Sequence, residues 1–402
     1  MDFLRGLLGV IAVLFIAFLF CNNKKGIKWR PIIGGLAIQF LFAFIVLKWE
    51  AGRAALSKFT DVMNHIISYA NEGINFLFGG LYTPDSKITF VVAFNVVPMV
   101  IFFAALISVL YYVGVMQLFI KYIGGGISKI LGTSKAESMS AAANIFVGQT
   151  EAPLVIRPFL GQLTRSELFA VLTGGLASIA GTMLAAYSLL GIPMEYLLAA
   201  SFMAAPAGLV IAKLFFPETE NMKEREIKLE KNESTNIFDA AARGAGDGLY
   251  LALNVGAMLL AFVALVALVN GVLGYVGGLF GMELTLQRIF GYLFSPLAFA
   301  VGVPWSEALQ AGSYIGQKIV LNEFVAYIDM AKNMANLTPK TVAILSFALC
   351  GFANFGSMAM LIGGLGSLVP ERRSEIAQVG MKVIFAGTLA SLLNGAIAGI
   401  FL

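Results

Sequence analysis

The stretch from 138 to 160 is apolar enough to enter a membrane, except for one polar run, Gly-Gln-Thr-Glu-Ala-Pro at positions 148–153. Gly148 can close one helix at its C-terminus, and Thr150 or Glu151 can cap the next. Pro153 suits the first turn of that second helix. The run therefore predicts two half-helices that meet at a tip. Because such a tip brings the positive end of one helix dipole and the free carbonyls of the other to one place, it can bind a polar solute and a cation together, which indicates transport.

The composition places this tip in a lipid bilayer. Of the 402 residues, 59% are hydrophobic and only 12% are charged, and the mean hydropathy is +0.85. These values are typical of a helical integral membrane protein. The net charge of +4 is small and no basic stripe alternates with aromatic residues, so we expect no nucleic-acid partner. Cys21 and Cys350 lie far apart in or beside apolar segments, and we expect no disulfide.

Basic residues orient the chain. The first apolar stretch lacks a signal-peptide cleavage pattern and is expected to stay as a span. Lys24, Lys25, Lys28 and Arg30 crowd into the loop that follows it, and such clusters stay in the cytoplasm. We therefore expect a multi-pass protein of the cell inner membrane with its N-terminus outside. Lys318, Lys332 and Lys340 fall on the predicted outer side, against this charge rule. The eight predicted spans are residues 3–20, 31–47, 91–113, 167–190, 194–216, 248–269, 341–369 and 376–402.

Two further segment types complete the predicted fold. Residues 51–80 form an amphipathic surface helix, and a second surface helix is expected to break at Gly-Gly-Gly, residues 124–126. The tip segment, residues 134–161, has basic residues at both ends and is therefore predicted to be a re-entrant hairpin. The next span is expected to be interrupted at Gly174, Gly175, Ser178 and Gly181.

The second half of the chain repeats the first. Residues 134–141 match 305–311, the tip at 149–151 falls opposite 321–323, and the break at 175–178 falls opposite 351–354. Three spans separate the hairpins, so the second enters from the opposite face and the repeat is inverted. The predicted fold is an all-α integral membrane protein with eight transmembrane helices, two opposed re-entrant hairpins in an inverted repeat, and interfacial helices. Its predicted units are N-terminal scaffold helices at 1–113, a first transport repeat at 114–216, a cytoplasmic loop at 217–247, a scaffold helix at 248–270, and a second transport repeat at 271–402.

The two tips carry acids. Inserting Glu151 and Glu323 into a membrane costs roughly 2.5 kcal/mol or more each, so each needs a partner or a task. Carboxylates flanked by amides and hydroxyls suit a neutral solute rich in hydroxyls, whereas an anionic solute calls for arginine, which neither tip has. The alternative is that these acids only lock a hairpin to a broken helix. Glu137 and Glu307, at the hairpin starts, are expected to cap helices or to reach toward the interface.

Other classes of function fit less well. His65 is the only histidine, and the chain has no Gly-x-Ser-x-Gly or His-Glu-x-x-His motif, so we expect no enzyme and no cofactor. A channel is the nearer alternative, because re-entrant hairpins also build filters. Inverted copies with interrupted spans favour alternating access instead. Counterflow of labelled solute discriminates the two.

Three stretches, taken in order, resemble one family. Gly-Gln-Thr-Glu-Ala-Pro-Leu at 148–154, Asn-Glu-Phe-Val-Ala-Tyr at 322–327 and Cys-Gly-Phe-Ala-Asn at 350–354 are similar to the concentrative nucleoside transporters, and the resemblance, to a bacterial member, covers essentially the whole chain. It implies a homotrimer in which each protomer has eight spans, two opposed hairpins, and a scaffold that holds a mobile transport domain.

The resemblance also implies site residues. It assigns the nucleobase contacts to Gln149, Thr150 and Glu151. Met183 stands at a position where base-facing side chains vary in the family. Ribose contacts fall to Glu323, Asn354 and Ser357, with Phe352 packing nearby. The sodium ligands correspond to Asn144, Val147, Ser178 and Ile179. Freed carbonyls at a half-helix end and two polar side chains suit a hard cation.

These observations predict concentrative, sodium-coupled uptake of nucleosides such as uridine by alternating access. Proton coupling is the first alternative, because Glu151 could carry a proton. A channel-like pore for small polar solutes is the second. Sodium would serve as coupling ion, not as a cofactor.

Overall fold

The computed structural model describes residues 2–81, 91–220 and 234–402, and every regular element in these ranges is a helix. The first five helices follow the predicted spans and surface helices closely. The predicted loop at 217–247 falls partly on residues 221–233, which lie outside the described residues. The helices are α1 (Asp2–Leu19), α2 (Trp29–Ala43, continued by a π-helix over Phe44–Lys48), α3 (Glu50–Phe78), α4 (Val92–Val113) and α5 (Val115–Leu131).

The predicted break at the triple glycine is wrong, because α5 runs through it without interruption. Gly124 instead lets α5 pack closely on the next helix, α6 (Lys135–Ala143). A Cβ atom at Gly124 would lie 2.9 Å from the Cα of Met139, so a larger residue would push the two helices apart. Gly124 thus serves helix packing, whereas a Cβ at Gly125 or Gly126 would meet nothing within 4 Å, and the helix tolerates all three.

The tip segment consists of α6 and a 3-10 helix over Ala152–Gln162. The prediction that Gly148 closes the first half-helix is wrong: α6 ends at Ala143 with Asn144 as its C-cap, and an irregular stretch follows. Glu151 is the N-cap residue of the second half, yet its side chain makes no capping bond there. Pro153 and Pro158 have no N–H to donate, which removes hydrogen bonds that an α-helix would need.

The middle of the chain is formed by four helices. The span predicted at 248–269 belongs to a much longer helix, which begins where Asn236 accepts a hydrogen bond from the Asp239 N–H at 2.9 Å. Gly244 and Gly248 let this helix approach α4, since a Cβ at Gly248 would lie 2.8 Å from the Cα of Ile101. These helices are α7 (Arg165–Ala177), α8 (Gly181–Leu189), α9 (Met194–Phe215) and α10 (Ile237–Leu279).

The last part of the chain contains the second tip and the second break where the sequence predicts them. The helices Leu286–Ala300 and Trp305–Val320 meet at a bend of 116°. Leu321 and Asn322 separate the second of these helices from the next one, which begins at Glu323. The second interruption covers residues 349–354. The helices are α11 (Leu286–Ala300), α12 (Trp305–Val320), α13 (Glu323–Asn333), α14 (Pro339–Ala348), α15 (Phe355–Leu368) and α16 (Arg373–Phe401).

Burial separates a central group of helices from a peripheral one. In α7–α8 and in α9, 94% of the residues in the most apolar stretch are buried inside the molecule. The corresponding share is 22% in α4 and 6% in α10. A helix that is apolar all round yet exposed fits a lipid environment or a contact with another subunit. The first interrupted helix and α9 therefore lie inside the molecule, while α4 and α10 form its margin.

Among the described residues, six helices are long and apolar enough to cross a membrane, or seven if the bent pair α11–α12 counts as one. Two segments of the predicted set, Phe3–Leu19 and Phe355–Leu368, are apolar but shorter. The molecule is thus an all-helical chain with several candidate spans, and the count of eight stays a prediction. The six are Trp29–Lys48, Val92–Val113, Arg165–Leu189, Met194–Phe215, Ile237–Leu279 and Pro370–Phe401.

Candidate functional site

The two interrupted helices meet at their breaks. The Phe352 N–H donates a hydrogen bond to the Ser178 carbonyl at 3.0 Å, which joins the break after α14 to the break after α7. Gly351 makes this approach possible, because a Cβ there would lie 2.8 Å from the carbonyl oxygen of Ala177. Four half-helix ends therefore converge on one buried place, and their unpaired backbone groups can bind polar ligands.

The first tip packs against α7 and the first break. A Cβ at Gly175 would lie 3.1 Å from the Cβ of Gln149, and one at Gly174 would lie 3.5 Å from Nδ2 of Asn144. The Gly181 N–H donates to the Phe146 carbonyl at 2.9 Å. The predicted interruption at Gly174 and Gly175 is thus wrong, because both residues are helical and serve close packing, and the helix breaks after Ala177.

Glu323 is the centre of the polar cluster at the second tip. Its side chain is almost fully buried, with 4% exposed. The Tyr187 hydroxyl donates to its Oε1 at 2.8 Å, and Nδ2 of Asn354 donates to its Oε2 at 3.1 Å. Asn354 also caps α15, accepting from the Ser357 N–H at 2.7 Å. The carboxylate is therefore held in one orientation by two donors and keeps acceptor capacity for a ligand.

Gln149 links the first tip to this cluster. Its Nε2 donates to the Ser357 carbonyl at 3.3 Å, while its Oε1 is buried and has no hydrogen-bond partner among the described residues. A buried acceptor without a donor is costly, so this oxygen is suited to a ligand N–H. Thr150 lies against α15, where a Cβ at Gly364 would be 3.2 Å from its Cγ2. Both tip residues thus contact α15, Gln149 near its first turn beside Asn354 and Thr150 farther along the helix.

Two further predicted residues lie beside the cluster. Met183 is buried on α8, one helical turn before Tyr187 and hence on the same face. Phe352 is half-buried at the second break. Both positions are compatible with apolar contacts to a ligand bound between the tips.

The Glu151 side chain does not face the Glu323 cluster. It is exposed in a cavity of about 350 Å³ that the first tip shares with α4, α5, α8 and α10. Tyr111, Thr182 and Asp247 supply polar groups to the same cavity. The only described hydrogen bond of the Glu151 side chain is a long one of 3.4 Å from the Gly148 N–H. The structure therefore separates Glu151 from Glu323, although the sequence groups it with Gln149 and Thr150.

The four predicted cation ligands fit a sodium ion by their chemistry. Oδ1 of Asn144 is buried and has no hydrogen-bond partner among the described residues. The Nδ2 of the same side chain donates to the Ser140 carbonyl at 3.1 Å and so fixes the orientation of the amide. No described donor reaches the carbonyl oxygens of Val147 or Ile179. The Ser178 hydroxyl donates to the Gly174 carbonyl at 2.9 Å, which leaves its lone pairs available. Hard oxygen atoms of this kind are the ligands that such cations prefer.

Sequence reasoning missed two buried residues. Tyr187 carries a signal that could have been read, since it follows Met183 by four positions in the interrupted span. The charge pattern groups Lys318 with two other lysines on the predicted outer side, yet its side chain is fully buried and donates to the Ala348 carbonyl at 2.9 Å. A lysine five positions before Glu323 in an apolar helix was the available signal for it.

The acids at the starts of the two tip segments both serve helix ends. Glu137 closes a capping box with Ser134 and also pairs with buried Lys213 at 2.6 Å. Glu307 accepts from the backbone N–H of Thr338 at 3.3 Å and so supports the start of α14. The capping expectation is confirmed for Glu137, whereas Glu307 caps a different helix from its own.

Comparison with known proteins identifies the class. Three family models match in order: "Na+ dependent nucleoside transporter N-terminus" over residues 8–81, "Nucleoside recognition" over 93–194, and "Na+ dependent nucleoside transporter C-terminus" over 196–399. Together they cover most of the chain. The protein is therefore a membrane transporter and not an enzyme.

Individual relatives agree. The chain is 49% identical to the nucleoside permease NupC of Helicobacter pylori, with 99% of this chain and 98% of the relative covered. It is 38% identical to the human solute carrier family 28 member 3, covering 98% of this chain and 59% of the relative. The solved structure of CNTnw in an inward-facing substrate-bound state superposes with a TM-score of 0.96 at 52% identity, over 100% of this chain and 98% of that one. The chain belongs to the Na⁺-dependent nucleoside transporter family.

Proposed function

We propose that this protein takes up nucleosides such as uridine against their gradient, driven by sodium, through alternating access. The observation that carries the proposal is the convergence of two unpartnered buried acceptors on the first tip. Asn144 Oδ1 is suited to a cation, and Gln149 Oε1 is suited to a nucleobase N–H. Because both atoms belong to one short stretch, binding of the ion can order the stretch that contacts the solute.

Ribose recognition is assigned to the second tip. A carboxylate oxygen can accept more than one hydrogen bond, so Glu323 can accept from ribose hydroxyls while Tyr187 and Asn354 hold it. Ser357 contributes its hydroxyl at the first turn of α15. Thr150 and Met183 complete the base-facing side, and Phe352 packs against the solute.

Contacts at the hairpin bases support the proposed re-entrant hairpins. Lys213 pairs with Glu137 near the start of the first tip segment and donates to Ser166, just after its end, at 2.9 Å. Glu307 begins the second tip segment and contacts Thr338 just after its end. Each segment thus returns to where it began. We propose that the two hairpins enter from opposite faces in an inverted repeat.

The remaining assignments concern the oligomeric state, the orientation in the membrane and the moving units. We propose a homotrimer in the inner membrane with an outside N-terminus, in which the units 1–113 and 248–270 form the scaffold and the units 114–216 and 271–402 move. The high exposure of α4 and α10 supports a scaffold that contacts lipid or neighbouring subunits. The basic loop at Lys24–Gly26 supports the orientation.

Proton coupling is the alternative that one observation favours. Glu151 and Asp247 line the same cavity, and an intramembrane carboxylate that faces a cavity is a typical proton carrier. A channel-like pore is the second alternative and has no structural support of this kind, since hydrogen bonds join the first tip to Gly181 and Ser357 and join Glu323 of the second tip to Asn354.

Purified protein in vesicles tests the proposal. One cation moving down about 100 mV supplies ~2.3 kcal/mol, and a tenfold concentration gradient adds about 1.4 kcal/mol, which together permit roughly 500-fold accumulation. We expect uridine accumulation with inward sodium and not with choline at any pH, and counterflow of labelled uridine. Uptake indifferent to sodium that falls as external pH rises would establish proton coupling instead. Uptake without counterflow would establish a pore.

A further inference from the structure

Lys318 is a buried cation with no carboxylate partner. It lies in the last turn of α12, three residues before the second tip, and none of its side-chain surface is exposed. Within the described ranges, no acidic oxygen lies within the 4.0 Å limit of an ion pair with it. A buried ammonium group is costly to desolvate, so a residue of this kind needs a specific stabilising environment.

That environment is the end of a half-helix. The Lys318 ammonium donates to the carbonyl of Ala348, which is the last residue of α14. The C-terminal end of a helix carries about half a negative charge, and the ammonium therefore interacts favourably with it. The Glu323 carboxylate acts on the same ammonium electrostatically without touching it. Lys318 thus balances two sources of negative potential at the second break.

The first break has the same arrangement without a lysine. There α7 ends at Ala177, and the end of the first tip's leading helix packs on its last turn, where a Cβ at Gly174 would lie 3.5 Å from Nδ2 of Asn144. Asn144, the C-cap of that leading helix, offers an unpartnered oxygen instead of a positive charge. In both halves, the end of a tip helix and the C-terminus of a broken helix thus flank one position. In the first half that position is the proposed sodium site.

We propose that the Lys318 ammonium is a built-in cation, which holds at the second tip and break the place that the coupling sodium ion holds at the first. This inference rests on the proposed sodium site. It assigns one exchangeable cation to each transport cycle, because the second position is filled covalently. It also assigns Lys318 a positioning role, since a positive charge near Glu323 favours the carboxylate form, which accepts hydrogen bonds from the ribose hydroxyls.

Two substitutions at the same position separate this role from simple packing. Lys318→Ser removes the charge, opens space and leaves a hydroxyl ligand, so a sodium ion can replace the ammonium. Lys318→Met removes the charge but fills the space with an apolar chain. Lys332→Met is the matched control, because Lys332 is an exposed lysine on α13 of the same hairpin.

The measurement is thermal unfolding of the purified protein as sodium replaces choline at constant ionic strength, with and without uridine. We expect the slope of stabilisation against log sodium concentration to correspond to one ion in the parent and to two in Lys318→Ser. We expect Lys318→Met to keep the parent slope and to bind uridine about tenfold more weakly, the difference between a charge-assisted and a neutral hydrogen bond. Lys332→Met should match the parent in both respects.

Equal sodium slopes in Lys318→Ser and the parent would overturn the inference. If Lys318→Ser does not fold at any sodium concentration, Lys318→Met decides: uridine affinity equal to that of the parent overturns the positioning role. The proposed function fails differently, through a parent that binds no nucleoside or shows no sodium response. A parent without a sodium response removes the first sodium site and overturns the inference with it, whereas a parent that responds to sodium with the same slope as Lys318→Ser overturns the inference alone.

Discussion

The hydroxyl of Tyr187 donates a hydrogen bond of 2.8 Å to Oε1 of Glu323, and both side chains are buried. The two residues are 136 positions apart and belong to the first interrupted span and the second tip. Their contact joins the two halves of the chain at the place where the ribose is expected to bind. Ligand binding at the second tip is therefore expected to affect the position of α8 through this hydrogen bond. The first prediction tests this coupling.

Tyr187→Phe is expected to weaken uridine binding roughly tenfold, because a hydrogen bond to a charged acceptor is lost. The sodium concentration for half-maximal uptake should change little. Tyr327→Phe is the matched control, since Tyr327 is equally buried and its hydroxyl donates to the Ser346 carbonyl rather than to Glu323. Isothermal titration with uridine measures both, and equal losses in the two variants would contradict the role of Tyr187.

Glu323→Gln should discriminate between sugars. We expect uridine to lose roughly tenfold to a hundredfold in affinity, because a charge-assisted hydrogen bond contributes about 1.5–3 kcal/mol. Dideoxyuridine, which lacks the ribose hydroxyls, should lose far less. Competition against labelled uridine gives both values. The ribose assignment fails when both nucleosides lose the same factor, and Glu307→Gln controls for removing an acid from the same tip segment.

Asn144→Ala and Ser178→Ala should raise the sodium concentration for half-maximal uptake before they lower the maximal rate. The side chains are assigned to the ion and not to the solute, and loss of one ligand is expected to raise that concentration roughly tenfold. Sodium titrations of uridine uptake provide the measurement. A lower maximal rate at unchanged sodium dependence would remove both residues from the proposed ion site.

Gly181→Ala should displace the first tip. A Cβ atom there would lie 2.8 Å from the Phe146 carbonyl oxygen, the acceptor of the Gly181 N–H, so backbone must move. Overpacking of this kind typically costs about 1–3 kcal/mol, and we expect weaker binding of both sodium and uridine. Gly363→Ala is the control, because nothing lies within 4 Å of a Cβ at that position. Parent-like binding in Gly181→Ala would show that the tip adapts.

A cysteine at Thr150 should change its accessibility between the two sides of the membrane as sodium and nucleoside are varied, whereas one at Gly256 on α10 should not. The reason is that the first tip is assigned to the moving unit and α10 to the scaffold. Cys21→Ser provides the background, since Cys350 is buried and Cys21 is partly exposed. Membrane-impermeant labelling from either side reads the result, and identical labelling at Thr150 under all conditions would rule out alternating access.

Much of the local structure could be predicted from residue patterns. The apolar spans, the tip after Val320 and the break at residues 349–354 lie where glycine, proline and polar residues interrupt apolar runs, because local backbone preferences act over a few residues. The same reasoning failed at the triple glycine of α5 and at Gly174 and Gly175 of α7. There Gly124, Gly174 and Gly175 pack closely against the first tip segment, and the local sequence does not show this distant neighbour.

The sequence by itself determined the membrane setting, the helical class, the two tips and the family, since each depends on composition or on a short contiguous motif. Only the tertiary structure decided which way the acids and the lysine point. In that structure Glu151 lines a cavity together with Asp247, and the Tyr187 hydroxyl donates to Glu323. Lys318 is buried and donates to the last carbonyl of α14. The physical reason is that a side chain's partner is chosen by packing between segments far apart in the chain, and no local pattern encodes that choice.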